Sequence, residues 1–423
     1  MHEDGTHAPP RATRRLEASF ICRVLWHLNP RAAAAVRTRE RVRRDLQRTR
    51  SLTAVKIAVL AHLKFPIAQP YPGGLEMHTH LLTRALRRRG HRVTLFASQG
   101  SDPDLAPDPV CPPTGDALGD DARGAAIDRA EAEAYARIMA GVARGGFDLV
   151  HNNSLHALPL RRSRGLGIPM VTALHTPPFD SLAAGVRACA PGMAFTAVSR
   201  SLAEAWRGLV AEPRVIGNGI DLAAFAFRAE PAPEPYAFWS GRIVPEKGLH
   251  LAIAAARAAG LRLAFAGPRP DPAYWDAVIA PLLGNDLTDL GHLSHAALAR
   301  GLAGARVALV TPRWEEPFGL VVAEALACGT PVAGFHRGAL PDILDTACGR
   351  LARADDPRDL ARAIGEAAGL DRRACRARAE ALFDADAMTD RYETLYREVL
   401  ARAVRSRGLR EARVLDRRDA AGA

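Results

Sequence analysis

The chain has 423 residues, 48% apolar and 24% charged, a composition that suits two or three globular domains and excludes a fibrous or wholly disordered chain. Its net charge of +11 sits at the ends: residues 1–50 hold twelve arginines against five acids, residues 401–423 seven against three, and residues 51–400 are neutral. A neutral body speaks against a nucleic-acid enzyme, and no apolar run is long enough to span a bilayer.

No secretory leader is visible. The six cysteines (Cys22, Cys111, Cys189, Cys328, Cys348, Cys375) are scattered without a C-x-x-C spacing. That pattern fits reduced thiols in a cytoplasm better than a disulfide frame or a zinc site. Residues 1–50 read as a basic, irregular extension and residues 406–423 as a basic tail. Such charge runs are usually solvated, but they could touch anionic lipid, placing the protein peripherally at the inner membrane face. An upstream start-site error would also produce such a leader, and the intact mass of native protein decides that.

Residues 54–62, AVKIAVLAH, form a continuous apolar run, the pattern of a strand buried on both faces. A proline-containing loop follows, and then Leu75, Leu82, Ala85 and Leu86 recur at helical spacing until Gly90. HRVTLFAS completes a βαβ unit, which implies a parallel sheet. FDLVHNN, IPMVTALHT, AFTAVSR and PRVIGNG continue the series, with helix-like stretches at 125–144 and 200–210 between them. The alternating prolines of 227–235 read as a linker. The pattern then restarts with YAFWSGR, a helix over 248–259, LRLAFAG and RVALVTP. The fold class predicted is α/β, two Rossmann-like doubly wound domains at 51–226 and 236–386 facing across a cleft. A terminal helix over 387–405 leaves its docking face open.

Ligands of open parallel sheets sit beyond the carboxyl ends of the strands, so chemistry belongs in the loops there. GRIVPEKGLHLAI contains Lys247, one of three lysines beside 54 arginines. Arg242 offers a planar fork and Lys247 a compact charge, a pair suited to a diphosphate. The plain alternative is a surface loop in which Lys247 pairs with Glu246. TPRWEEPFGLVVAEALACGTPV places Glu324 in a helix apolar nearly all round, where a carboxylate needs partners. Glu316 alone would read as a favourable helix-start charge. Gly73 and Gly74 open a helix where Ser, Thr or Asp is the common cap, which suggests close approach of something to the backbone. Asp102–Asp104 and Asp384–Asp386 mimic an Asp-x-Asp metal motif but read as turns. His78 and His80 lie two apart on a helix and cannot face one another. His151 and His156 read as core or surface histidines rather than cleft ligands.

Taken in order, PGGLE at 72–76, HTPP at 175–178, NGID at 218–221, SGRIVPEKG, and the Glu-x7-Glu pair Glu316/Glu324 resemble the family 4 retaining glycosyltransferases, over roughly residues 55–400. The resemblance implies the GT-B fold, with 51–226 the acceptor domain and 236–386 the nucleotide-sugar donor domain. It implies transfer of a hexose from a nucleotide-diphosphate donor, UDP favoured, to a hydroxyl acceptor (a glycan, a lipid-linked precursor or a small metabolite), without metal or other cofactor and without nucleic acid. By the same resemblance, Arg242 and Lys247 hold the diphosphate, Glu324 takes hydrogen bonds from the ribose, and Glu316 contacts the donor sugar. The backbone of Phe318, Gly319, Leu320 and Val321 lies against sugar and phosphate, and His175 stands near the reacting sugar. Gly73 and Gly74 let the first acceptor loop close over the diphosphate. The loop Gly338, Ala339, Leu340, Pro341, Asp342 departs from the family's usual Gly-Gly-x-Pro-Glu, a change that bears on sugar choice. A nucleotide-sugar epimerase of the same architecture and a non-catalytic nucleotide-sugar-binding protein are the rival readings.

Overall fold

The computed structural model describes residues 54–117 and 120–420, with side chains as far as residue 406. The basic extension, residues 421–423 and the side chains of the basic tail beyond residue 406, with the membrane contact expected of them, therefore lie outside the described residues. Residues 54–396 form one compact unit.

Its first half runs β1 (Lys56–Leu60), α1 (Gly74–Arg88), β2 (Arg92–Ser98), β3 (Pro107–Cys111), α2 (Asp121–Arg144), β4 (Leu149–Asn152), α3 (Ala157–Leu166), β5 (Met170–Leu174), α4 (Asp180–Ala188), β6 (Ala194–Ala197), α5 (Arg200–Ala205) and β7 (Arg214–Val215). The second half runs β8 (Tyr236–Ser240), α6 (Leu249–Ala258), β9 (Arg262–Ala266), β10 (Leu287–Asp289), α7 (His295–Gly304), β11 (Val307–Val310), α8 (Leu320–Ala327), β12 (Val332–Phe335), α9 (Leu340–Ile343), β13 (Gly349–Ala352), α10 (Pro357–Ala367), α11 (Arg372–Leu382) and α12 (Ala385–Ala420).

All strand pairs are parallel, in the orders β3-β2-β1-β4-β5-β6-β7 and β10-β9-β8-β11-β12-β13. Both orders reverse beside the first strand, at β1/β4 and at β8/β11, the switch points where a crevice opens. The α/β, doubly wound expectation is thus met in both halves. β1 and β8 are almost wholly apolar because helices cover both faces: Ile57 to Leu60 are fully buried, as are Ala237 and Phe238, while β4 carries the buried polar His151 and Asn152. One apolar cluster is common to both sheets, with Met77, Leu174 and Trp206 from the first and Phe318, Val322 and Phe383 from the second.

A side chain caps the free N–H groups of most helices away from the switch points, Asp120 for α2, His156 for α3, Ser199 for α5, Ser294 for α7, Asp356 for α10 and Asp371 for α11, while α4 and α9 start without one. α1, α6 and α8 instead begin at Gly73, Gly248 and Gly319, without a side-chain cap. These three follow β1, β8 and β11, so uncapped N–H groups gather at the two switch points.

The chain also crosses between the halves twice. It leaves the first sheet through residues 216–235 and returns at Asp384, which bridges to Ile220. From there α12 packs Tyr392 and Tyr396, both fully buried, against the first half, so the open docking face of the terminal helix belongs to that domain.

Candidate active site

The loops after β8 and β11 are tied together through one hydroxyl. Thr311, just after β11, donates its hydroxyl to the carbonyls of Lys247 and Gly248 at 2.9 and 3.1 Å, and accepts from Trp239 Nε1 at 3.0 Å. This ties the loop after β8 to the loop after β11. Lys247 then reaches not Glu246 but Glu316, with Nζ 2.5 Å from Oε2. The same oxygen accepts from Trp314 Nε1 at 3.0 Å, and the ammonium lies 5.4 Å from the centre of the Trp314 ring. Lysine and glutamate are both largely shielded, so their attraction exceeds that of an exposed pair.

Glu316 is itself fixed by the next turn. Ala339 N–H donates to its carbonyl at 2.8 Å, and Gly338, with φ of +57°, runs so close that a Cβ there would lie 2.3 Å from the same oxygen. Arg242 is less committed. Its guanidinium is 3.8 Å from Glu246 and 4.0 Å from Asp116 of the first half, and Asp116 in turn meets Lys64 at 3.3 Å. Glu324, one turn into α8, is buried, and its carboxyl has no hydrogen-bond partner among the described residues. Burial alone pushes its carboxyl up to about 7.

The first half contributes imidazoles. His62, after β1, accepts from Lys64 N–H at Nδ1, so its proton is on Nε2, which faces Glu76 Oε1 at 2.6 Å. His175, after β5, has Nε2 3.3 Å from Asn153 Oδ1, and its ring meets the fully buried His78 edge-on at 4.7 Å. Burial, and then His78, His151 and His62, hold the His175 pKa well below its ordinary value. His175 is therefore a neutral imidazole at neutral pH.

The two sides meet at Gly74 and Phe318. A Cβ on Gly74 would lie 2.7 Å from Leu320 Cδ1, so the glycine lets the start of α1 press on the start of α8. What approaches that backbone here is Leu320; the expected approach to a diphosphate is not tested by this contact. Gly73 has extended backbone that any residue adopts, and a Cβ there would meet only the end of Glu76. Phe318 is buried, its ring against Gly217 and edge-on to Phe383 at 5.8 Å. Gly319 is the left-handed cap of α8, and Val321 lies half-buried on that helix.

Lys247 and Glu316 are thus brought into contact, with Arg242 on the adjoining loop. Glu324 follows Leu320 on the same helix, while the hydrogen-bond and ring partners of His175, Asn153 and His78, lie within the first half. Sequence reasoning passed over His62, Glu76, Trp314 and Asn153. A tryptophan among the acids of PRWEEPFG was the one visible signal. His80 pairs with Asp102 at 2.8 Å, and Asp102 caps a 3₁₀ turn, in keeping with its reading as a turn residue.

Two parallel sheets meeting along their carboxyl edges, cationic loops on one and imidazoles on the other, define an enzyme of the GT-B glycosyltransferase class. Residues 72–224 match the model of Glycosyltransferase Family 4 and residues 223–381 that of Glycosyl transferases group 1. The chain is 31% identical to D-inositol 3-phosphate glycosyltransferase of Mycobacteroides abscessus over 374 residues, covering 75% of this chain and 83% of that one. It is 28% identical to the phosphatidyl-myo-inositol mannosyltransferase of Mycolicibacterium smegmatis over 323 residues, covering 71% and 82%. Anabaena HepE, solved with UDP and glucose, shares the fold at a TM-score of 0.62 and 20% identity, over 81% of this chain and 99% of that one. The chain belongs to glycosyltransferase family 4 and is a glycosyltransferase.

Proposed function

We propose that this enzyme moves a hexose from a UDP-sugar to a hydroxyl acceptor with retention at the anomeric carbon, using side-chain cations in place of a metal. The observation that carries the reading is the Lys247–Glu316–Trp314 cluster at the β8/β11 switch point, beside the uncapped starts of α6 and α8. The C1–O bond to the diphosphate breaks while the acceptor oxygen bonds C1 from the same face. The acceptor proton passes to a phosphate oxygen of the departing diphosphate. The barrier is charge separation, so fixed positive charge at the leaving group is the main requirement. Lys247, Arg242 and the uncapped N–H groups supply it, and Glu316 turns from Lys247 toward the sugar hydroxyls when donor arrives. Glu324 receives the ribose hydroxyls that satisfy its carboxylate. Localisation at a cytoplasmic membrane face belongs to this proposal; among the described residues no helix is long and apolar enough to cross a bilayer.

Thermal unfolding with UDP-, GDP-, ADP- and dTDP-sugars tests it. A donor at a hundred times its Kd raises stability by about 2.7 kcal/mol. A rise with UDP-sugars alone, lost in Glu324→Ala, is expected. Lys247→Ala should lower turnover on the order of 10²–10³-fold. Product NMR showing inverted anomeric configuration, or activity abolished by EDTA and restored by a divalent cation, would sink the corresponding part.

A further inference from the structure

Behind His175 lies a buried polar relay that ends on the terminal helix. Tyr396 Oη is 2.8 Å from His151 Nδ1, His151 Nε2 is 3.0 Å from Asn153 Oδ1, and the same oxygen is 3.3 Å from His175 Nε2. The Asn153 amide nitrogen is 3.1 Å from Thr79 Oγ1. His151, Asn153, Thr79 and Tyr396 are all fully buried. Two arrangements of the protons satisfy these distances at first sight, because an asparagine can be turned about and each imidazole has two tautomers.

The hydroxyl of Tyr396 separates them. Its one hydrogen-bond partner among the described residues is His151 Nδ1. Were that nitrogen protonated, the tyrosine oxygen could only accept, and its own buried O–H would be left without an acceptor, a cost of roughly 1–3 kcal/mol. The Thr79 hydroxyl has Asn153 as its one partner among the described residues, so either arrangement leaves one buried hydroxyl proton without an acceptor; a phenol is the stronger donor and the poorer acceptor of the two, so Tyr396 donates, Thr79 accepts, and His151 Nδ1 is bare. The His151 proton is on Nε2, pointing at Asn153, which must present its oxygen. Its amide nitrogen then donates to Thr79. His175 Nε2 faces that same oxygen and must be an N–H.

We infer that Tyr396 and Asn153 are positioning residues that fix His175 as the Nε2–H tautomer, leaving its Nδ1 as a hydrogen-bond acceptor for a hydroxyl of the donor sugar. This deepens the proposed function and rests on it for the identity of the hydroxyl; the tautomer stands on the structure alone. The terminal helix, remote in sequence, thereby belongs to the active-site machinery.

The test uses the full chain with ¹⁵N-labelled histidine and long-range ¹H–¹⁵N correlation, the His175 signals being assigned by their loss in His175→Gln. Expected are a protonated Nε2 and a bare Nδ1 in the wild type, and a tautomer mixture at His175 in Tyr396→Phe, which removes a single oxygen. Asn153→Leu should lower kcat on the order of tenfold or more, as wrong-tautomer variants of catalytic histidines do. Asn153→Asp, which keeps an acceptor in place, should retain the tautomer and restore part of kcat, and it serves if Asn153→Leu fails to fold. A wild-type His175 protonated on Nδ1 would overturn the inference, as would signals unmoved in Tyr396→Phe. A correct tautomer in a protein that turns over no nucleotide sugar would place the failure in the proposed function and leave the relay standing.

Discussion

Glu324 shows at a single residue how a site is kept at the expense of stability. Its carboxyl, without a partner and pushed up to about 7, is harder to ionise in the folded chain than in the unfolded one by about 3 kcal/mol above pH 7. The folded pKa is raised, so this group makes the protein less stable as pH climbs from the unfolded carboxylate value through about 7. Glu324→Gln should therefore melt higher than wild type at pH 8 and level with it near pH 4.5, while losing the stabilisation by donor. Equal melting at pH 8 would mean that the carboxylate finds a partner in the free enzyme. The position was legible in the sequence because an acid inside an apolar helix is conspicuous. The partner of Lys247 was not. Glu246 is adjacent in sequence, whereas Glu316 lies 69 residues away and arrives only through the β8/β11 neighbourhood.

At the scale of elements, the βαβ rhythm was readable because most central strands are buried on both faces and read as apolar runs, β1 and β11 above all. What the rhythm could not show was how loops touch across strands. The turn at Gly338 is an instance: it looked like a departure affecting sugar choice, and it also proves to be the support on which Glu316 rests. Gly338→Ala would place a methyl on the Glu316 backbone in a left-handed conformation, with a cost on the order of 1–3 kcal/mol from the conformation alone. Denaturant titration should show that loss, and donor binding should fall with it, since Glu316 and Lys247 must separate. A variant with normal stability and normal donor binding would show that the turn yields freely. The glycine starts of α1, α6 and α8 suit the proposed function, for a side-chain cap would occupy N–H groups that the proposal assigns to a phosphate.

Across the whole molecule, acid should act through the first domain. Burial pushes His78 down to about 4 and His151 to about 3, and holds His175 well below its ordinary value. Depressed histidine pKa values mean that the unfolded chain binds more protons, so stability is complete above about pH 6.5 and is lost as pH falls toward 4. His156, His250 and His295 are lowered by burial as well, so six histidines pull in this direction and Glu324 in the other. Equilibrium unfolding between pH 6.5 and 4 should show stability falling as pH falls, more steeply in Glu324→Gln. A flat profile would show that the imidazoles are already hydrated. The scarcity of lysine, the acid inside an apolar helix and the ordered motifs pointed to the loops after β8 and β11 from sequence; the imidazole cluster draws on residues as far apart as His78 and Tyr392, and no spacing rule reaches that distance.

The double crossing of the chain, out through residues 216–235 and back at Asp384, has a mechanical meaning. Two bodies joined by one flexible strand can swing and twist in any direction, whereas two attachment points set side by side leave a single axis, as two hinges do for a door. Ile220 and Asp384 lie together, and Gly219 passes so close to Ala385 that a Cβ there would be 2.5 Å from its Cα, so the pins of this door are almost in contact. Any movement of one half on the other would turn about that place, and the contact of Gly74 with Leu320 would open or close with it.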